Sequence, residues 1–297
     1  MRTEPVLPAV HDKEGDRVPS SLPRILDAHV HLFPGPLFEA IWQWFDTFAW
    51  AVRYKLTSPQ IIEFLSSRGV ERMVGLHYAH RSGMARDLNR YMAGLCRTFP
   101  QLTGLATVFP GETGAGDIMK EAFEMGLAGI KLHAHVQYFS LEDRSMHEIY
   151  EMCADQAKPL IMHVGREPKN PYYTYERDPY EICGAHMLEA VLAAYPELKI
   201  CVPHLGANEF DEYRNMLELY DNLWLDTAMV LADYLPDCQA PSISDMRCDR
   251  IMYGTDFPNI PYAWDREIRR LDTLGLSEGF LEKLLAENAM AFLSMSM

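Results

Sequence analysis

The sequence predicts an α/β protein, a (β/α)8 TIM barrel in a single domain, on three observations. Short apolar runs alternate with helix-periodic stretches through eight successive units. Each run is apolar almost throughout, as a parallel strand buried on both faces requires. Five of the runs carry metal-competent or basic side chains at or near their C-terminal ends, where barrels of this kind place their catalytic groups.

The predicted strands, in order, are residues 25–31, 71–77, 102–109, 128–133, 159–164, 198–204, 222–227 and 250–256. The first ends in His29-Val30-His31, the fourth carries Lys131, the fifth His163, the sixth ends in His204 and the eighth in Asp256. Helices are expected at 58–68, 85–98, 116–125, 142–156, 186–195, 209–220, a short 228–235, and 263–274 with 277–292. Ser58 before Pro59 reads as a helix start, a capping hydroxyl followed by the residue best tolerated in a first turn.

A doubly wound nucleotide fold would need a phosphate-binding glycine turn after the first strand. The turn here, His31-Leu32-Phe33-Pro34-Gly35-Pro36, contains prolines that remove the required donors. The glycine cluster Gly111-Glu112-Thr113-Gly114-Ala115-Gly116 has Met119 where the third glycine of a dinucleotide motif belongs.

Composition narrows the function classes. The 297 residues fit one large barrel, and the 48% hydrophobic fraction supplies a sizeable core. No apolar run reaches the roughly 18 residues of a membrane span, so no membrane role is expected. With 42 acidic against 27 basic residues the net charge is −15, which repels a phosphate backbone and argues against nucleic acid. Six scattered cysteines without a Cys-x-x-Cys pair read as reduced thiols of a cytoplasmic protein. Residues 1–21 lack the apolar stretch of a secretory signal and read as a flexible or surface-draped arm, leaving 22–297 for the barrel.

Alternate residues of a strand share a face, so His29 and His31 can both point into the barrel mouth and reach one ion. Three protein ligands with an open position define a catalytic metal site, and imidazole suits zinc and similar ions. His163 and Asp256, delivered from later strands, would complete the cage, with His204 beside it.

The motifs Leu26-Asp27-Ala28-His29-Val30-His31, Gly129-Ile130-Lys131-Leu132-His133, Ile161-Met162-His163-Val164-Gly165, Pro203-His204-Leu205-Gly206, Tyr253-Gly254-Thr255-Asp256-Phe257-Pro258 and Glu287-Asn288-Ala289 occur in this order. In that order the chain resembles the amidohydrolase superfamily, specifically the amidohydrolase-related branch that includes aminocarboxymuconate semialdehyde decarboxylase. The resemblance runs from about residue 25 to 292. It implies one divalent metal, zinc first, held by His29, His31, His163 and Asp256. Asp256 would shuttle the proton, and His204 would hold the water or polarise the substrate.

Lys131 has two readings. In binuclear members a lysine at this place is carboxylated and bridges a second ion; otherwise it is an unmodified cation for a substrate anion, and the single-ion reading leads. His133 is a candidate substrate contact, His135 is left undecided, and His77 and His80 are placed at the rim.

Two connections are expected to shape the pocket. One carries Trp42-Gln43-Trp44-Phe45, then Phe48, Trp50 and Tyr54; the other, 165–185, carries Arg166, Lys169 and Arg177. Trp44 and Arg166 would bind a planar or aromatic carboxylate. The aromatics could equally pack a subunit interface, so a homo-oligomer stays open.

Three functions follow. A hydrolase opening a lactone, ester or amide of a small carboxylate-bearing molecule leads, a non-oxidative decarboxylase of an aromatic or muconate-type acid is the alternative, and a non-catalytic barrel is disfavoured because no ligand is missing.

Overall fold

The apolar runs become strands that bury both faces, and pairing in strict sequence order is parallel throughout. In the computed structural model, which describes residues 11–165, 177–206, 208–234 and 242–295, the strands are β1 (Ile25–His31), β2 (Val70–Leu76), β3 (Leu102–Gly104), β4 (Ile130–His133), β5 (Leu160–His163), β6 (Ile200–Val202), β7 (Leu223–Asp226) and β8 (Ile251–Met252). The ladders β1 to β3 and β4 to β8 meet at two seams. Ala106 N donates to Gly129 O and Lys131 N to Ala106 O at 2.8 and 2.7 Å, and Ala28 N donates to Tyr253 O at 2.9 Å. Those seams close the (β/α)8 barrel that the alternation of runs predicts.

Several strands are shorter than their apolar runs. The third stops at Gly104 and the eighth at Met252, because the last residues of each run turn inward at the mouth and bond to side chains. Thr107 N donates to Asn89 Oδ1 at 2.8 Å, and Phe257 N to Thr255 Oγ1 at 3.1 Å. Asp256 therefore leaves the strand and sits at φ +63°, its N donating to His29 O at 3.0 Å.

Helices cover the outside: α1 (Gly35–Phe48), α2 (Ser58–Ser67), α3 (Ala85–Thr98), α4 (Ala115–Glu124), α5 (Ala134–Gln137), α6 (Arg144–Asp155), α7 (Pro179–Ile182), α8 (Ala185–Ala194), α9 (Phe210–Leu219), α10 (Arg266–Thr273), α11 (Glu278–Glu282) and α12 (Asn288–Phe292). None of the described helices is long and apolar enough to cross a membrane. Three local expectations are corrected. The aromatic stretch Trp42 to Phe45 is helical, part of α1, because Pro34 and Pro36 preset a first turn where no N–H is needed. The cap of α2 is Thr57, whose N donates to Gln60 Oε1 at 2.9 Å, while Ser58 is the first helical residue and its hydroxyl goes to Phe33 O. Of the helix expected at 228–235, the described residues 228–234 hold instead a single tight turn, Val230–Ala232, flanked by Met229 and Asp233 with positive φ.

Residues 11–21 run against α2 and α10. Val18 N donates to Arg68 O at 2.8 Å, Gly15 N to Asp265 Oδ2 at 2.8 Å, and Trp264 Nε1 to Gly15 O at 3.0 Å. Arg53 reaches back to Asp12 O and the Glu14 carboxylate.

Register fixes what the barrel interior holds. Lys131 pairs in a row with Ile161 and Cys201, and Cys201 with Trp224, all buried. One step nearer the mouth, His133 pairs with His163. The lysine is thus embedded one layer below the imidazoles.

Candidate metal centre

β1 delivers His29 and His31 to one point, as the period of a strand requires, and the turn after β8 brings Asp256 to meet them. His29 Nε2 lies 3.2 Å from His31 Nε2 and 3.2 Å from Asp256 Oδ1, and His31 Nε2 lies 2.9 Å from the same oxygen. The three atoms make a nearly equilateral triangle.

That triangle fits a divalent ion. Donors about 2.1 Å from a common centre stand about 3.4 Å apart in a tetrahedron and about 3.0 Å apart in an octahedron. His29 Nδ1 lies 2.8 Å from Asp226 Oδ2, so its proton is on Nδ1 and its Nε2 lone pair faces the triangle. Without a cation, that lone pair would confront His31 Nε2 and an anionic oxygen. Among the described residues, this is the one group of three His, Cys, Asp or Glu side chains that converges so closely.

Six side-chain rings close a circuit around the mouth. Consecutive centroids are 5.0 Å apart for His29 and His31, 5.8 for His31 and Tyr78, and 5.1 for Tyr78 and His133. The circuit continues with 4.0 Å for His133 and His163, 4.8 for His163 and His204, and 5.5 for His204 and His29. His133 and His163 are stacked with planes 8° apart, which explains why both stay close to strand register.

His163 stands outside the ligand triangle, with Nδ1 3.3 Å from His204 Nε2. His204 Nδ1 donates to Ala228 O at 2.8 Å, so the neutral ring keeps its lone pair on Nε2. His163 then donates from Nδ1 and holds its own lone pair on Nε2, the atom that an ion would take.

Two carboxylates that sequence reasoning did not single out organise this site. Asp226, at the end of β7, accepts from His29 Nδ1 on one oxygen and from His204 N and Ala228 N, both at 3.1 Å, on the other. Asp27 accepts from His29 N at 3.0 Å and Thr255 N at 3.1 Å, and from the Thr255 hydroxyl at 2.6 Å, so it ties β1 to the turn that carries Asp256. The one available signal was a carboxylate inside an apolar run, in Leu223-Trp224-Leu225-Asp226 and Ile25-Leu26-Asp27.

Burial and charge pull the site's groups apart. Burial pushes the Asp27 carboxyl up to about 7 against its hydrogen bonds from Thr255 and His29. Burial pulls His31 down to about 4. Burial is the largest influence on His29 and works against its charged form, but the charge of Asp226 together with the hydrogen-bonding oxygens of Asp226 and Asp256 outweighs it and the pKa rises. For Asp256, burial is overcome by the two imidazoles packed against it, His29 and His31, whose attraction for the charged form holds the carboxylate well below its ordinary range. Lys131 is fully enclosed, its Nζ has no hydrogen-bond partner among the described residues, and burial brings it down to about 8 despite Asp226 and Asp256.

The remaining expected residues are placed as follows. His133 belongs to the ring circuit, and His135 lies on α5, its Nε2 3.1 Å from Gly165 O. Trp44 is 37% exposed on α1 and packs on Phe45 and Phe48; it has no part in the circuit. The aromatic path inward from α1 instead runs Trp42, Phe38, Phe33 to His31, with centroids 5.2, 5.4 and 5.9 Å apart. Arg166 and Lys169 lie outside the described residues.

Comparison with known proteins bears on the family and the fold. The family model described as amidohydrolase matches residues 26–295. No curated protein matches the chain. Among solved structures, the 5-carboxyvanillate decarboxylase of Sphingomonas paucimobilis superposes with a TM-score of 0.67 at 15% identity, over 92% of this chain and 99% of that one. The 5-carboxyvanillate decarboxylase of Novosphingobium aromaticivorans, complexed with manganese and 4-hydroxy-3-methoxy-5-nitrobenzoic acid, gives 0.64 at 18% identity over 97% and 100%. The 2,6-dihydroxybenzoate decarboxylase from Rhizobium gives 0.61 at 15% identity over 91% and 98%. At such identities the likeness establishes a shared barrel. Taken with a family match over nearly the whole chain, the protein belongs to the amidohydrolase family and is a metal-dependent enzyme of that superfamily.

Proposed function

We propose that the protein is a metal-dependent carboxy-lyase, removing carbon dioxide non-oxidatively from an aromatic acid. The motifs alone put hydrolysis first, and the same ligands serve either reaction. The observation that moves the choice is the fold shared over at least nine-tenths of the chain with decarboxylases named for 5-carboxyvanillate and 2,6-dihydroxybenzoate. The flat stacked pair His133 and His163 beside the ligand triangle suits a planar ring.

A divalent ion held by His29, His31, His163 and Asp256 would supply a Lewis acid for the substrate's oxygens. Zinc fits the imidazoles, and manganese is the ion named for one neighbour, so both belong in the test. Lys131, buried and cationic, would balance the substrate's negative charge from the layer beneath. The bond between ring and carboxyl carbon breaks with its electron pair left on the ring. Asp256 takes the proton that a phenolic substrate gives up on binding and returns it to that ring carbon, so carbon dioxide leaves and the proton count balances. His204, with its Nε2 lone pair facing His163, orients the polar groups on that side.

The test is a panel of ring-hydroxylated benzoic acids incubated with protein loaded with manganese or zinc, following carbon dioxide release and loss of the acid's ultraviolet band. A parallel panel of lactones and esters is followed by base consumption. Carbon dioxide from an aromatic acid supports the lyase; base uptake on ring opening with no gas from any acid overturns it in favour of hydrolysis.

A further inference from the structure

Behind the metal centre, Glu267 on α10 is almost fully buried, and it spends both carboxylate oxygens on the loop after β7. Met229 N donates to its Oε2 at 3.2 Å and Leu231 N to its Oε1 at 3.0 Å. Those two N–H groups sit on a segment with no strand to pair with. Met229 is held at φ +64°, a conformation that a non-glycine residue keeps only when its surroundings impose it.

The neighbouring carbonyl is the one that matters to the site. Ala228 O accepts from His204 Nδ1 at 2.8 Å, while Ala228 N is held by Asp226 Oδ1 at 3.1 Å. Two carboxylates from different elements thus grip consecutive residues, Asp226 at 228 and Glu267 at 229 and 231. Between them they fix where the Ala228 carbonyl points. If that carbonyl turns away, His204 loses the acceptor that keeps its proton on Nδ1, and the proton can move to Nε2, the nitrogen facing His163.

We propose that Glu267 is a positioning residue for His204, fixing the tautomer and aim of that imidazole through the backbone of residues 228–231. This rests on the reading that His204 works at the metal centre. Glu267 reaches His204 only through the loop, and no contact ties it to His29, His31 or Asp256 among its hydrogen bonds. The ligand triangle should therefore not sense its loss.

The experiment records long-range proton–nitrogen spectra of protein labelled with nitrogen-15 histidine, before and after zinc is added. The His204 signals are assigned by their disappearance in His204→Gln. In the wild type, Nδ1 should give a protonated-type and Nε2 an unprotonated-type nitrogen signal. In Glu267→Gln, which keeps one acceptor oxygen, the two signals should shift toward each other, and further in Glu267→Ala, while the His29 signals stay in place and zinc per chain is unchanged. If the alanine variant does not fold, the glutamine variant decides. His204 signals identical to the wild type in a folded variant overturn the proposal, as does loss of zinc together with the shift, since the carboxylate would then support the pocket as a whole. No substrate is used, so a failed decarboxylation assay leaves this result standing.

Discussion

His29 Nδ1 and Asp226 Oδ2 stand 2.8 Å apart with both side chains fully out of water, and the same carboxylate holds the backbone of His204. One group therefore sets the tautomer of a candidate metal ligand and the place of a second histidine. Carboxylates behind ligating imidazoles raise their basicity and fix their rotation.

Asp226→Asn should weaken divalent metal binding by about 10- to 100-fold, the usual cost of losing such support. The amide has one acceptor for three donors, His29 Nδ1, His204 N and Ala228 N, and its NH2 must face at least one of them. A competition titration against a chromophoric chelator measures the change. Wild-type affinity in the asparagine variant would remove Asp226 from this role.

Lys131→Met should leave one ion per chain and raise the Michaelis constant for an anionic substrate by about tenfold or more, the scale of one lost charge-assisted contact. Methionine is an unbranched, adaptable replacement in a row formed by Ile161, Cys201 and Trp224. Elemental analysis of wild type, His29→Ala and Lys131→Met checks the first part. One ion lost in the alanine variant and kept in the methionine variant is the expected pattern; two ions in the wild type, with loss in the methionine variant, would mean that the lysine is a carboxylated bridge.

The barrel was legible because eight apolar runs at helix-separated spacing admit few arrangements, and the convergence of His29, His31 and Asp256 followed from strand parity and the strand-end rule. Asp226 was not legible, since a carboxylate closing an apolar run also reads as a loop cap. Tyr78, which completes the ring circuit, follows β2 without any motif, and its place depends on how that strand end turns inward. The aromatic stretch of α1 misled because proline-rich starts serve both turns and first helical turns. The choice between hydrolysis and decarboxylation was not in the motifs at all, because both reactions use one ligand set.

His77 sets an acid limit on the fold that can be measured apart from the metal centre. Asn89 is oriented by Thr107, accepting its N–H at 2.8 Å and donating to its carbonyl at 2.9 Å, so the oxygen of Asn89 must accept from His77 Nε2 at 3.1 Å. The ring is buried and neutral in this arrangement, and burial takes its pKa down to about 4 from 6.5. Between those values the unfolded chain binds a proton that the folded chain refuses, so the stability His77 contributes is complete above pH 6.5 and is lost as pH falls toward 4. At about 1.4 kcal/mol per unit the loss amounts to roughly 2 kcal/mol by pH 5. His77→Gln can still donate to Asn89 but does not titrate. It should be less stable than the wild type in urea unfolding at pH 7.5, with that gap narrowing by about 2 kcal/mol at pH 5. A gap that is the same at both pH values would mean that His77 takes up its proton alike in the folded and unfolded chains, as it would if water reached it through the β2 end of the barrel.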